Sequence, residues 1–473
     1  MINIITYQDL QACVSEQERQ DFIYKSINRH IGSNSYKMAK TARRYYNGHN
    51  ETIENYQKIL YSVTGEAVPD QISPNNKSKN NIFSIIIKQQ VQFLLGNGIM
   101  WKGGKQNEKL GKKYEKLMQK AAKEALICGV SYTFFNLDHI EVFTAEEFLP
   151  LPDEIDGSIK AGIRHWQIDV KKPLRATLYE LDGYTEYMWV DGTCEILKPK
   201  RPYIINYKQS DAEGIEIYGG ENYPGFPIVP LYGQESKESL LVGRKEDIDS
   251  YDLIKSGYAN DLDEVSQVYW IIQNAGGMDE VDLVNFLRQV RRVKAAVVDE
   301  DGAKAEPHTI DIPHEAREKL LERLEKDLYR DFMAFDPIRV ASGAATATEI
   351  KAGYELLNLK EDDFETLLTD NIENVLEIAG IDDEPSYTRS MIVNKAEEAQ
   401  MILSAASYLP DDYVVKKLLT IFGDMDMVDE ILKQINEDEL KRMSVYEGSG
   451  QNNRPQTGEL REEGQEDIPK SNS

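Results

Sequence analysis

A chain of 473 residues exceeds what one ordinary hydrophobic core organises, so it reads as modular, with about two to four domains. A hydrophobic content of 41% with 26 tyrosines excludes a largely disordered chain. With 81 acidic against 55 basic residues, the formal net charge of -26 argues against tight, sequence-independent wrapping of nucleic acid.

The N-terminal segment has no basic region followed by a long apolar run, so no secretory signal is expected. Cys13, Cys128 and Cys194 lack any paired spacing, which fits a reducing compartment and cytoplasmic synthesis. A short helical stretch over residues 36–46 ends at Asn47-Gly48, and an irregular polar arm is expected up to Lys79. Asn80 or Asn81 is placed to cap a helix carrying Phe83, Ile86, Ile87, Val91, Leu94 and Leu95, with Gly96 to end it. That window is the most apolar in the chain. Lys88, Gln89, Gln90 and Gln92 interrupt it, and it is too short to cross a bilayer. A second helix is expected over residues 108–128.

Between residues 131 and 231 strand formers dominate, with Asp182-Gly183 and Asp191-Gly192 as turn dipeptides, which predicts a mainly antiparallel β region. Pro224, Pro227 and Pro230 mark an extended exit. Helical period returns near Arg244 and continues through Ile248, Tyr251, Tyr258, Leu262, Val265, Tyr269 and Ile272. After Gly276-Gly277 a compact insertion is expected: a helix over 281–290, a strand over 293–298 and a turn at 299–302.

Residues 311–380 are the most informative stretch. Leu320, Leu324, Leu328 and Phe332 recur every four residues, and Glu315 with Lys319 and Glu322 with Lys326 form acid-before-base pairs. Pro313 suits the helix start. A second helix opens at Thr346 with Glu349 at capping-box spacing and runs through Ile350, Tyr354, Leu357, Phe364, Leu368, Ile372, Val375 and Ala379 to Gly380. It would be roughly 50 Å long, a spanning element. Small residues join the two: Ala341, Ser342, Gly343, Ala344, Ala345, Thr346, Ala347 and Thr348. Residues 394–409 and 411–430 read as further helices, and the polar tail from Gly448 as disordered.

Catalytic signatures are missing. There is no Gly-x-x-x-x-Gly-Lys-Ser/Thr phosphate loop, and Gly96-Asn97-Gly98 and Gly103-Gly104-Lys105 read as turns. His308 and His314 are not at helical ligand spacing, Ser131, Ser342 and Cys128 have no local nucleophile signature, and the acidic turn at Asp299 lacks the ligands of a calcium loop. No catalytic residue, metal or cofactor is expected. A basic cluster, Arg288, Arg291, Arg292 and Lys294, stands out against the acidic background and suits phosphate or an acidic partner; its bland alternative is a solvated helix end.

The order and spacing of these parts resemble the portal proteins of long-tailed bacteriophages over roughly residues 21–435. The stretches that carry the resemblance are 80–96, 224–230, 249–264, 312–330 and 342–345 leading into the long helix. The resemblance implies an α+β multidomain portal fold: an N-terminal wing region (1–240, helical and then β-rich), a first stem helix (241–269), a small α/β clip (270–312), a second stem helix (313–335), a tunnel loop (336–345), a long wing helix with its connection (346–392), a helical crown (393–445) and an acidic, polar tail (446–473). Val340 to Thr346 would line the channel, and the clip's basic cluster would meet DNA or a partner. It further implies a non-enzymatic ring, commonly of twelve subunits, at one capsid vertex of the virion, assembled in the host cytoplasm, with no cofactor and no membrane. Double-stranded DNA would pass through it in packaging and ejection, and the terminase large subunit, major capsid and scaffolding proteins and a head-completion adaptor would dock on it. The alternatives are an oligomeric phage adaptor without a conduit, or a hydrolase or nuclease acting through carboxylates of the β region. The approach from Phe335 to Val340 departs from the family pattern.

Overall fold

The computed structural model describes residues 4–61, 65–70, 73–103, 109–210, 216–265, 269–273, 304–308, 314–337, 347–390 and 395–422, with a few isolated positions besides. The chain divides into two units, residues 1–391 and 392–473.

The N-terminal arm is more ordered than its polar composition suggests. It forms helices α1 (Tyr7–Gln11), α2 (Glu16–Gly32), α3 (Asn34–Tyr46) and α4 (Glu51–Glu54), then a hairpin of β1 (Ile59–Tyr61) and β2 (Ala67–Pro69). Two capping boxes, Thr6 with Asp9 and Ser15 with Glu18, satisfy the first-turn amides of α1 and α2. Within the arm expected to be irregular, residues 47–79, the structure has α4, capped by Asn50 Oδ1, and the β1-β2 hairpin. Next come α5 (Ile82–Leu95), β3 (Ile99–Trp101) and α6 (Tyr114–Cys128). Asn81 occupies the cap position of α5 without a capping bond, while Asn80 Oδ1 accepts from Ile82 N at 2.9 Å. Helix α6 starts six residues later than expected because Gly111 takes a left-handed φ of 78° and turns the chain first.

The β region supplies β4 (Val130–Asn136), β5 (His139–Thr144), β6 (Phe148–Pro152), β7 (Ile159–Trp166), β8 (Leu174–Glu180), β9 (Gly183–Val190), β10 (Thr193–Arg201), β11 (Ile204–Ser210), β12 (Glu216–Glu221) and β13 (Ile228–Tyr232). Every pairing is antiparallel: a five-stranded sheet in the order β10-β9-β8-β7-β6, a three-stranded sheet β13-β4-β5 and the hairpin β11-β12. Asp191 and Gly192 both take positive φ, 50° and 83°, as a tight hairpin turn requires. Pro230 lies in β13, an edge strand, where its missing N–H costs no ladder bond.

Helix α7 (Lys245–Val265) follows, then β14 (Tyr269–Gln273) paired with β15 (Lys304–His308), α8 (His314–Asp331), α9 (Ala347–Ala379) and β16 (Pro385–Tyr387), which pairs with β3. Tyr269 and Ile272, expected to prolong α7, are in a strand: two apolar residues three apart within a short apolar run do not separate a helix from a buried strand. The helix, strand and turn expected over residues 281–302 fall almost wholly outside the described residues. The second unit carries α10 (Lys395–Ala405), a 3-10 turn and α11 (Asp411–Phe422). Among the described residues no helix is long and apolar enough to cross a membrane, and no group of three or more His, Cys, Asp or Glu is placed to hold a metal.

Among the described residues four cores organise the first unit, the smallest being Phe93, Phe335, Tyr354 and Leu357. In the largest, α3, α5 and α6 pack with one face of α9 and the end of α8. Tyr354, Leu357, Phe364, Leu368, Ile372 and Val375 of α9 are each at most 4% exposed, and burying each such side chain contributes about 1.5–3 kcal/mol. Asn371 fixes that helix to the sheet, its Nδ2 donating to the carbonyls of Val229 and Pro230 at 3.3 and 3.2 Å. Gly380 ends α9 with φ 63°, the left-handed stop its sequence suggests. A second core sets Ile5, Leu10, Ile23 and Ile27 against β6 to β9, and a third is an aromatic cluster of Tyr132, Phe134, Phe143, Phe148, Tyr179 and Tyr203.

In the second core's neighbourhood His30 and His165 stack edge to face with centroids 5.5 Å apart. Burial, then the neighbouring His30, pushes His165 down to about 4, and burial also lowers His30. The unfolded chain protonates these rings near pH 6.5, while in the folded chain His165 resists until about 4 and burial holds His30 below its usual value. Stability is therefore whole above about pH 6.5 and falls as pH drops toward 4, by about 2–3 kcal/mol for His165. Urea midpoints measured across that range should fall with pH, and His165→Phe should flatten the curve.

Candidate functional site: the anchored joint between two long helices

Helices α7 and α8 run antiparallel. Arg244, just before α7, donates from Nε to the Asp331 carbonyl at the end of α8 at 2.9 Å, while Asp261 pairs with Arg317 and Tyr258 OH lies 3.1 Å from His314 Nδ1. The pair thus leaves the body at one end and carries the paired strands β14 and β15 at the other. The charge pairs expected along α8, Glu315 with Lys319 and Glu322 with Lys326, are not among its ion pairs. Arg323 and Arg330 pair with Asp327 instead, at 3.6 and 2.9 Å. The apolar stripe of α8 is buried only toward the body: Leu328 and Phe332 are 2% and 1% exposed, Leu320 43%.

The middle of α7 is held by an extended strap, residues 76–80. Asn80 Nδ2 donates to Asp252 Oδ1 at 2.7 Å, Ser78 N to Ser256 Oγ at 3.0 Å, and Asn76 N to Asn260 Oδ1 at 2.5 Å. Alternate strap residues meet every fourth helix residue. Two extended residues advance about 6.6 Å and four helical ones about 6.0 Å, so the two lattices stay in step over the whole contact. Asn50 Nδ2 reaches the other oxygen of Asp252 at 2.9 Å. Burial raises the Asp252 carboxyl, with the Asn50 and Asn80 amides offsetting part of the rise. One turn earlier, burial would raise Asp249, but bonds from Lys245, Tyr45 and Thr52 outweigh it and hold the carboxyl below its usual value.

The joint itself starts from a fixed base. After α8, Met333 takes φ 52° and turns the chain, and Ala334 N donates back to the Tyr329 carbonyl at 2.8 Å. The Phe332 carbonyl accepts from Lys360 Nζ at 3.0 Å, and Arg244 lies over the Phe332 ring at 5.2 Å. Gln89 of α5 grips Phe335 by both backbone groups: its Nε2 donates to the Phe335 carbonyl at 2.8 Å and its Oε1 accepts from the Phe335 N–H at 3.0 Å. The Phe335 ring stacks on Tyr354 at 4.0 Å, and Tyr354 stacks on Phe93 at 5.5 Å. Gly353 lies inside α9 because a Cβ there would come within 3.1 Å of the Phe335 ring.

The small-residue joint expected to face a channel, Val340, Ala341, Ser342, Gly343, Ala344, Ala345 and Thr346, lies outside the described residues, as does the basic cluster Arg288, Arg291, Arg292 and Lys294. What the structure brings together is the base of that joint. Sequence reading did not single out Phe335, Tyr354, Gln89 or Lys360 as a unit, although Gln89 and Gln90 stood out as polar interruptions of the apolar window of α5. None of the contacts is a reaction centre: the site is a mechanical fixture, two long helices and a connecting segment pinned to one body.

The chain is 25% identical over 374 residues to the portal protein of Clostridium phage phiCD119, which covers 72% of this chain and 81% of that one. It is 23% identical over 335 residues to the portal protein of Bacillus phage SPP1, covering 67% of this chain and 64% of the relative. Among solved structures, a chain of the virion of a native gene transfer agent particle aligns over 72% of this chain and 89% of its own length, at 12% identity and a TM-score of 0.42. The family model described as phage portal protein, SPP1 Gp6-like, matches residues 27–441, so the chain belongs to that family of bacteriophage portal proteins, structural components of the virion.

Proposed function

We propose that this portal protein works as a closed ring of about twelve copies at one vertex of the phage head, a cyclic assembly in which each subunit repeats one heterologous contact. Double-stranded DNA passes through the centre during packaging and ejection. The observation that carries this reading is the match of the portal family model to residues 27–441. The antiparallel α7–α8 pair acts as the stem, residues 266–313 at its far end as the clip that meets the terminase large subunit and later a head-completion adaptor, and α9 as the wing helix. Residues 336–345 act as the tunnel loop, Val340 to Thr346 facing the channel. Residues 1–240 are the wing toward capsid and scaffolding proteins, and residues 393–445 the crown.

Charge supports a conduit that does not grip. A ring of about twelve chains at -26 each carries a net charge of roughly -300, which disfavours adhesion of DNA, while Arg288, Arg291, Arg292 and Lys294 guide it locally. The chain acts without catalysis or cofactor, in the virion, after assembly in the host cytoplasm. Electron microscopy of the purified chain should show rings with a hole wide enough for duplex DNA, and shortening residues 336–345 should leave the rings intact while DNA packaging fails. A strict monomer under assembly conditions overturns the ring, and a normal infectious yield from the shortened variant overturns the loop assignment. Rings with no central bore would favour an adaptor without a conduit.

A further inference from the structure

Beside each side chain that anchors the joint sits a buried acceptor with nothing to accept from. Gln89 grips Phe335, and its neighbour Gln90 is 1% exposed with Oε1 unpartnered inside the protein. Lys360 holds the Phe332 carbonyl, and its neighbour Glu361 is 0% exposed with neither carboxylate oxygen hydrogen-bonded. Glu361 interrupts the buried stripe of α9 between Leu357 and Phe364, on a helix that packs against α5.

An ionised carboxylate without donors in such a place is strongly disfavoured, and the group relieves the conflict by keeping its proton. Burial raises the Glu361 carboxyl, Lys360 and Arg389 oppose the rise, and Glu365 and Asp362 add to it. Arg389 is already engaged by Asp362 and Glu365, its Nη2 standing 2.9 Å from Glu365 Oε2. On the packed elements, α5 contributes one charged side chain, Lys88, which reaches toward the Tyr46 ring instead. Strands β4, β13 and β16 contribute phenols and no charged group. Burial lowers the Lys360 ammonium, so the two neighbours titrate toward one another. A protonated Glu361 carries no charge to solvate, and its O–H can donate where the ionised group can only accept.

We propose that the proton on Glu361 is a latch on the α5–α9 interface. While it is bound, Gln89 and Lys360 stay in register on Phe335 and Phe332. Its loss at alkaline pH drives the carboxylate out of the interface and frees the base of the joint. The latch belongs to the single chain, so it stands or falls apart from the ring and its subunit number.

Hydrogen exchange of the full-length protein, corrected for intrinsic rates, tests it at about pH 6.5 and about pH 9 on peptides spanning residues 332–337 and α5. Wild-type protection should fall by about tenfold at the higher pH, and Glu361→Gln should hold its protection at both. Lys360→Met, which removes the lysine's own titration together with its hold on the Phe332 carbonyl, should lower protection of residues 332–337 at both pH values and keep the fall on α5; loss of the fall on α5 in that variant overturns the proposal. Protection in the wild type that does not depend on pH overturns the proposal, as does an equal fall in Glu361→Gln. Should that variant fail to fold, Glu361→Met carries the same expectation and the same refutation.

Discussion

Replacing Phe335 by alanine should destabilise the chain by about 3–4 kcal/mol, the usual cost of emptying a buried aromatic site. Phe335 is 3% exposed, and its ring is one leaf of the stack with Tyr354 and Phe93, so the cavity opens between α5 and α9 rather than at the surface. The Gln89 grip is to backbone and survives the substitution, which keeps the effect to packing. Gly353 makes the result specific. An alanine inside an exposed helix gains about 1 kcal/mol over glycine, but here the added Cβ meets the Phe335 ring at 3.1 Å. Gly353→Ala should therefore be neutral or harmful in the wild type and stabilising in the Phe335→Ala background. Urea unfolding of the four proteins gives the coupling directly. Additive effects would mean that the ring does not set the glycine.

The second large effect is expected at Asp252, which is 0% exposed and receives amides from both Asn50 and Asn80. Asp252→Ala leaves the buried Asn50 amide and the half-buried Asn80 amide unpaired and releases one end of the strap, at a cost of roughly 2–4 kcal/mol. Because burial raises the acid while the two amides partly offset it, Asp252→Asn should be milder but not silent: its own N–H₂ would face another amide donor. Limited proteolysis within residues 73–81 reads the strap's release separately from global unfolding. An Asp252→Ala chain as stable and as resistant as the wild type would remove the strap's positioning role.

Much of this architecture was legible locally. The apolar stripe of α9 reads off Tyr354, Leu357, Phe364, Leu368, Ile372 and Val375, and Gly380 stops it where φ turns positive. The dipeptide Asp191-Gly192 announced its hairpin, while Pro230, read as part of an extended exit, lies in an edge strand. The base of the joint was not legible. Phe335 looked like a departure from a family pattern, and its partner Gln89 lies 246 residues away in a window noticed only for being imperfectly apolar. Tyr269 and Ile272 kept helical spacing and entered a strand, since two or three apolar residues satisfy either period.

The sequence by itself determined where the long helices α5, α8 and α9 and the Asp191-Gly192 turn lie, how long the spanning helix is, and that no familiar catalytic motif is written in the chain. Those properties depend on dihedral preferences and periodicities within a few residues. Only the tertiary structure decided which polar residues in apolar stripes are partnered and which are not. Asp252 is satisfied by two amides, while Glu361, equally buried, has none. Such partners come from segments far apart in the chain, and burial with or without a donor is a property of where those segments meet, not of the residue that is buried.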